Sequence, residues 1–305
     1  MSPHADGRRA LVIGASGQIG AALTRALASR GHQVTGTYAH VASPGTVPLD
    51  LADTAATARL IETVAPDWVF CPGGLTHVDG CERDADAAFR INRDGPTAAA
   101  RAAAACGAGF VYYSTEYVFD GRGGPYGEDD PVSPISVYGV SKLEGERGVR
   151  AGNPRALVIR TTVVYGPDPQ AKNFVYQLVR RLRAGERMKV PTDQVSSPTY
   201  NVDLAAASVE LVERGAAGVL NVVGDTVLDR YAFAQRACDV FGLDATLLDP
   251  VTTAELGQVA KRPLQAGLRI DRARAMITTP LRGPVEGLRA MRDVLGADAR
   301  VASTG

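Results

Sequence analysis

Near its start the chain reads LVIGASGQIGAALTRAL, with Gly14, Gly17 and Gly20 set between a β-branched run and an Ala-rich one. Glycine allows a tight turn and a close backbone approach, and a following helix offers unpaired N–H groups and positive dipole to a pyrophosphate. Three glycines alone are weak evidence, but a strand before them and a helix after them make dinucleotide binding the expectation. That placement restricts the rest of the chain to folds in which a parallel strand opens into a helix.

The first half keeps the same rhythm. Short runs RALVI (Arg9 to Ile13), QVTGTY (Gln33 to Tyr38), TVPLD (Thr46 to Asp50), WVF (Trp68 to Phe70), GFVYYS (Gly109 to Ser114) and ALVIRT (Ala156 to Thr161) read as strands. Helical patterns lie between them, near Ile19 to Ser29, Thr54 to Val64, Ala85 to Cys106 and Val137 to Arg150. Alternation of this kind predicts an α/β fold, a doubly wound parallel sheet of Rossmann type. After Tyr165 the rhythm loosens, and a smaller, discontinuous C-terminal substrate domain is expected. We assign residues 1–163 to the dinucleotide-binding domain, with 195–223 returning to it, and 164–194 and 224–305 to the smaller one. The tail ADARVASTG reads as frayed.

The chain has 305 residues, with 33 Lys plus Arg against 33 Asp plus Glu. That balance removes the electrostatic argument for nucleic acid or an anionic membrane as a main partner. Cys71, Cys81, Cys106 and Cys238 match no common zinc or redox spacing and read as reduced thiols, with no metal site. No run is apolar enough for a signal peptide or a membrane span, so a cytoplasmic protein is expected.

VYGVSKLEGER places Tyr138 and Lys142 four residues apart at a predicted helix start, so both face one way. A tyrosine loses its proton near pH 10, and a nearby ammonium lowers that value. A phenol so tuned gives its proton to a carbonyl oxygen as hydride reaches the carbon. The Y-x-x-x-K pair resembles that of the extended short-chain dehydrogenases/reductases, and this resemblance implies Thr115, at the strand end STEYVFDG, as a third member and an active-site role for Asn92 in RINRDG, which is otherwise a solvent-facing residue.

The spacing G-x-x-G-x-x-G with Ala15 and Ser16, and the Y-x-x-x-K pair, resemble the extended short-chain dehydrogenases/reductases. The resemblance implies a nicotinamide cofactor held by Gly14, Ser16, Gly17, Gln18, Ile19 and Gly20. Tyr38, Asp50, Leu51, Cys71, Gly73, Gly74 and Thr76 join them, with Tyr138 and Lys142 at the nicotinamide end. Asp50 is either the acid that reaches the adenine or a turn residue. GTYAHVASPG, after the second strand, has no acid for a ribose 2′-hydroxyl and no Arg for a 2′-phosphate; only His40 is there to meet a phosphate. The missing acid favours NADP(H) slightly over NAD(H).

STEYVFDG, GEDDPVSPISVYGVSKLEGE, RTTVVYG, KNFV and SSPTYNVDLA are similar to the dTDP-4-dehydrorhamnose reductase family, which reduces the 4-keto group of a nucleotide-linked 6-deoxy sugar. The similarity implies a nucleotide-sugar substrate facing Thr76, Thr115, Glu116, Tyr138, Val163 and Asn173, with Thr115 and Tyr138 on the ketone. It also implies a homodimer through helices such as Ala85 to Cys106, unless that apolar face is buried within one chain. Three departures leave the particular sugar open: Glu116 stands for the family's Asp, CPGGLTHVD for NAAAHT, and Val163 for a Trp. A dehydratase would carry Asp then Glu after the Thr, whereas this chain has Glu116 then Tyr117. Two alternatives stand beside the reductase: a non-catalytic subunit resembling the methionine adenosyltransferase β subunit, and a sugar-nucleotide epimerase.

Overall fold

A computed structural model describes the backbone of residues 7–302 and the side chains of 7–296. Its first half runs β1 (Arg9–Val12), α1 (Gln18–Ser29), β2 (Gln33–Tyr38), β3 (Thr46–Pro48), α2 (Thr54–Val64), β4 (Trp68–Cys71), α3 (Val78–Arg83), α4 (Ala85–Phe89), α5 (Gly95–Ala105), β5 (Gly109–Thr115), α6 (Val137–Gly152) and β6 (Leu157–Thr161). There follow β7 (Val164–Tyr165), α7 (Phe174–Arg183), β8 (Met188–Pro191), β9 (Val195–Ser196), β10 (Thr199–Tyr200), α8 (Asn201–Glu213), β11 (Gly218–Asn221), β12 (Leu228–Asp229), α9 (Arg230–Phe241), β13 (Leu248–Val251), α10 (Asp271–Met276) and α11 (Pro284–Ala302). The segment read as a frayed tail continues α11 to Ala302, and its last three residues lie outside the described ones.

Seven strands form one sheet in the order β11-β6-β5-β4-β1-β2-β3, every pair parallel. The doubly wound sheet expected from the sequence is therefore present. Its strands are apolar on both faces, as a sheet covered on both sides requires. Ala10, Val12, Phe70, Val111 and Ile159 pack with α1 and α8 residues such as Leu23, Leu27, Leu204 and Val209. The alternate residues Leu11, Ile13, Val69, Phe110, Tyr112 and Val158 pack with Ile61 of α2, Ala99 and Ala103 of α5 and Val149 of α6. The apolar face of α5 is thus buried within the chain.

The helix predicted over Ala85 to Cys106 is interrupted by a π-helical turn at Arg90–Asp94. Pro96 has no N–H to give the carbonyl four residues back, which is that of Asn92, and the Tyr112 hydroxyl donates to it instead at 2.6 Å. A third cluster of buried residues draws Val175, Leu178 and Leu182 of α7, Phe233 and Ala237 of α9, and Leu288 and Met291 of α11 around the parallel pair β8–β13.

One buried ion pair ties α6 to the sheet. Arg160 of β6 donates to Glu146 through Nε (2.9 Å) and Nη2 (2.7 Å), and both side chains are about 5% exposed or less.

Candidate active site

Loops at the carboxyl edge of the sheet enclose a cleft of about 660 Å³, at the point between β1 and β4 where the strand order reverses and doubly wound folds bind ligands. At one end lies the glycine loop. Gly14 has φ +92°, in the left-handed region, and a Cβ on Gly20 would stand 2.1 Å from Gly14 O and 2.7 Å from Ala15 Cα. Glycine at position 20 therefore lets α1 begin directly against the turn. Gly17 caps α1 with no side-chain hydrogen bond, which leaves the first N–H groups of the helix for a ligand.

Of the residues expected to hold a cofactor, Gly14, Ser16, Gly17, Gln18, Ile19, Gly20, Gly73, Gly74, Thr76, Tyr138 and Lys142 line the cleft. Tyr38, Asp50, Leu51 and Cys71 are not among the lining residues. Asp50 Oδ1 accepts the N–H of Ala52 at 2.9 Å and closes a turn, Leu51 is buried, and Cys71 lies wholly inside the sheet. Beyond β2 the cleft wall is Ala39, His40 and Val41, without a carboxylate. Buried hydroxyls of Ser114 on β5 and Thr161 on the adjacent β6, both lining the cleft, have no hydrogen-bond partner among the described residues. A glycine cradle, an uncapped helix start and orphaned hydroxyls fit a dinucleotide.

The strand end and the start of α6 meet at the middle of the cleft. Ser136 Oγ accepts the Gly139 N–H and fixes the first turn of α6, and Tyr138, Lys142 and Glu146 follow on one face. Lys142 Nζ lies 4.0 Å above the Tyr112 ring, a cation–π contact. Burial lowers Lys142 to about 8. The lowering expected from Lys142 is not seen: burial pushes the Tyr138 phenol up, and it stays protonated at neutral pH.

Thr115 connects these groups. Its hydroxyl is hydrogen-bonded to Glu116 Oε2 at 2.8 Å, its oxygen accepts the Tyr117 N–H at 3.2 Å, and it lies beside Tyr138, whose phenol it pulls down. Thr162 donates to the other oxygen of Glu116. Burial raises the Glu116 carboxyl, against the pull of those hydroxyls and of Arg230. Asn92 faces neither the cleft nor solvent: fully buried, it accepts the Leu75 N–H at 2.9 Å and donates to Leu75 O and Ser141 Oγ, holding the β4 loop to α6.

The cleft is also lined by Val163, Asn173 and Arg230, and by Lys172, whose Nζ donates to Gln170 Oε1 at 2.7 Å near the glycine loop. Val163 sits at φ +42°, a strained conformation for a β-branched residue. Asn173 is committed to capping α7, accepting from Val175 N, and donates to Gly166 O. Arg230 stacks over the Phe174 ring at 5.1 Å, and among the described residues its guanidinium has no hydrogen-bond or ion-pair partner. The sequence reading missed Arg230, for which LDRYAF gives no local signal, and Thr162, which the polar doublet of RTTVVYG does signal.

Two side chains from the second half of the chain bind to the glycine loop. Gln170 donates to Ser16 O at 3.0 Å, and Asn201 to both Gln18 O (3.2 Å) and Pro167 O (2.7 Å).

Comparison with known proteins agrees with this geometry. The chain is 34% identical over 269 residues to a probable low-salt glycan biosynthesis reductase of Haloferax volcanii, covering 86% of this chain and 90% of that one. It is 36% identical over 281 residues to the dTDP-4-dehydrorhamnose reductase of Mycobacterium tuberculosis, covering 90% and 89%. A crystal structure of the Bacillus anthracis dTDP-4-dehydrorhamnose reductase in complex with NADP superposes with a TM-score of 0.86 at 28% identity, covering 93% of this chain and 98% of that one. A family model described as the RmlD substrate binding domain matches residues 8–295. Among the described residues no helix is long and apolar enough to cross a membrane. The chain belongs to the RmlD substrate binding domain family, and is an oxidoreductase of the extended short-chain dehydrogenase/reductase type.

Proposed function

We propose that this protein is an NADPH-dependent ketoreductase that reduces the 4-keto group of a nucleotide-linked 6-deoxy sugar. One observation carries the reading: a single cleft has a glycine cradle at one end, an unpaired guanidinium at the other, and Thr115, Tyr138 and Lys142 between them. The reductases named above, and the NADP held by the Bacillus anthracis protein, support the substrate class and the cofactor. The carboxylate-free wall at Ala39 to Val41, with His40 in it, favours the phosphorylated cofactor.

A bound reduced nicotinamide supplies the hydride. Tyr138, protonated at neutral pH, donates its proton to the carbonyl oxygen as negative charge develops there. Thr115 orients the Tyr138 phenol for that transfer. Lys142, with no carboxylate bonded to it among the described residues, holds the nicotinamide ribose and stabilises the phenolate left behind. Arg230 meets the anionic nucleotide end of the substrate, where a guanidinium suits phosphate oxygens.

The test is turnover of NADPH with a dTDP-4-keto-6-deoxy sugar. Wild type turns over; Tyr138→Phe loses about a thousandfold in kcat, within the range of one acid–base residue, and keeps its affinity for NADPH. An inert wild-type protein overturns the reading, and unchanged turnover in Tyr138→Phe removes Tyr138 from it.

A further inference from the structure

Tyr138 gives up its proton once per turnover and must recover it, and a carboxyl group stands just beyond the hydroxyl beside it. Thr115 lies between: it neighbours Tyr138 on one side and is hydrogen-bonded to Glu116 Oε2, 2.8 Å away, on the other. A hydroxyl has one proton to donate and two lone pairs to fill. One lone pair of Thr115 takes the Tyr117 N–H. The remaining proton and lone pair are divided between Glu116 and Tyr138, and the protonation of Glu116 decides how.

If Glu116 is a carboxylate, Thr115 donates to it and has no proton for the Tyr138 oxygen. If Glu116 is a neutral acid, its own O–H donates to Thr115, and the Thr115 proton points to Tyr138. The second arrangement leaves Oε1 to accept from Thr162 and fills every site on the Thr115 hydroxyl.

We propose that Glu116, as the neutral acid, is the proton reservoir that reloads Tyr138 through Thr115. After the phenol proton has gone to the ketone oxygen, the Thr115 proton moves to the phenolate and the Glu116 proton moves to Thr115. One O–H bond breaks and one forms at each site, no electrons change hands, and the Glu116 carboxylate regains a proton from water in the cleft that it lines. Burial favours the neutral form of Glu116. The groups that face it agree with the assignment: Tyr138 from α6 and Tyr117 from its own turn are neutral phenols, the hydroxyls of Thr115 and Thr162 carry no charge, and Arg230 at the start of α9 is a cation that opposes it. Arg230 brings the carboxylate within reach after the transfer without an ion pair to hold it there.

The inference rests on the ketoreductase reading, and two measurements separate their failures. The first uses no substrate: infrared difference spectra of wild type against Glu116→Gln contain a protonated-carboxyl band at neutral pH. Absence of that band overturns the proposal whatever the activity. The second is rapid-mixing kinetics with NADPH and a dTDP-4-keto-6-deoxy sugar. The side-chain amide of the Glu116→Gln variant donates to Thr115 as the acid does, so its first turnover keeps the wild-type rate and appears as a burst of one equivalent per site. Steady-state kcat then falls about a hundredfold, a typical contribution of one proton-transfer group, with KM unchanged. Wild-type kcat in Glu116→Gln, or loss of the burst together with the steady phase, overturns the proposal; if wild type itself is inert the ketoreductase reading falls, and the infrared band still decides the state of Glu116. Thr162→Val, which leaves the relay in place and removes one donor to Glu116, keeps both phases if the proton route runs through Thr115 alone; loss of the steady phase in Thr162→Val overturns that route.

Discussion

Replacing Glu146 by Gln keeps the shape of the buried pair between α6 and β6 and removes its charge. The Arg160 guanidinium is bound by two parallel hydrogen bonds to Glu146, by a longer one to Glu128 O at 3.3 Å, and lies 5.1 Å above the Phe119 ring. At about 3.5 Å and an effective dielectric near 20 the gross attraction is about 5 kcal/mol. Removing one partner of such a pair leaves an uncompensated buried charge and costs about 3–5 kcal/mol, roughly a fifth or more of the stability of an ordinary domain, about 5–15 kcal/mol. The assay is urea unfolding followed by circular dichroism, with a lower midpoint at unchanged slope expected. Glu146→Leu combined with Arg160→Met buries no charge and recovers most of the loss. A cost under about 1 kcal/mol, the range of an exposed pair, refutes the reasoning, as does a double variant as unstable as the two single losses added. A second readout follows from position. Burial lowers Lys142 to about 8, and the Glu146 carboxylate, one turn away, opposes that. Without it Lys142 loses its proton at lower pH, so the alkaline limb of the activity profile moves down. An alkaline limb that stays in place removes Glu146 from the tuning of Lys142.

Val163→Gly relieves the φ of +42°; net of the freedom glycine adds to the unfolded chain, stability rises by about 1 kcal/mol, and a lower thermal midpoint would count against strain there. Arg230→Met raises KM for the nucleotide sugar at least about tenfold, since bonds to charged groups contribute about 1.5–3 kcal/mol, and leaves NADPH affinity unchanged; isothermal titration with each ligand separates the two, and equal loss for both refutes the assignment. Burial pushes the Cys71 thiol up from 9.0 to about 12. Its folded value lies above its unfolded one, so its contribution to stability is full below pH 9 and is lost as pH rises toward 12. The unfolding midpoint of Cys71→Ala falls less steeply over that window than that of wild type, and parallel curves would sink the claim.

The large sheet was legible because its signals are local. Each of the strands β1 to β6 is a short β-branched or aromatic run ended by a turn, and in Gln33–Tyr38 the predicted and observed ends coincide. The glycine loop, Tyr138 and Lys142 were legible for the same reason, since spacing along one helix or turn fixes which face they share. The break at Arg90–Asp94 was written in Gly95-Pro96, but it takes Tyr112, twenty residues from Asn92, to receive the freed carbonyl. Long-range placement accounts for the other differences. Arg230 reaches the cleft from α9 and Thr162 reaches Glu116 from the loop after β6, and neither encounter has a period in the sequence. Tyr138 departs from expectation because burial, which a four-residue spacing does not report, dominates its titration.

The hydrogen bonds from Gln170 to Ser16 O and from Asn201 to Gln18 O join the glycine loop to the segment that carries Lys172 and Asn173. Ordering of one by a ligand reduces the conformational freedom still to be lost when the second ligand binds. The two halves of the cleft are then thermodynamically linked, and linkage is reciprocal: whatever factor the dinucleotide adds to the affinity for the sugar, the sugar adds to the affinity for the dinucleotide.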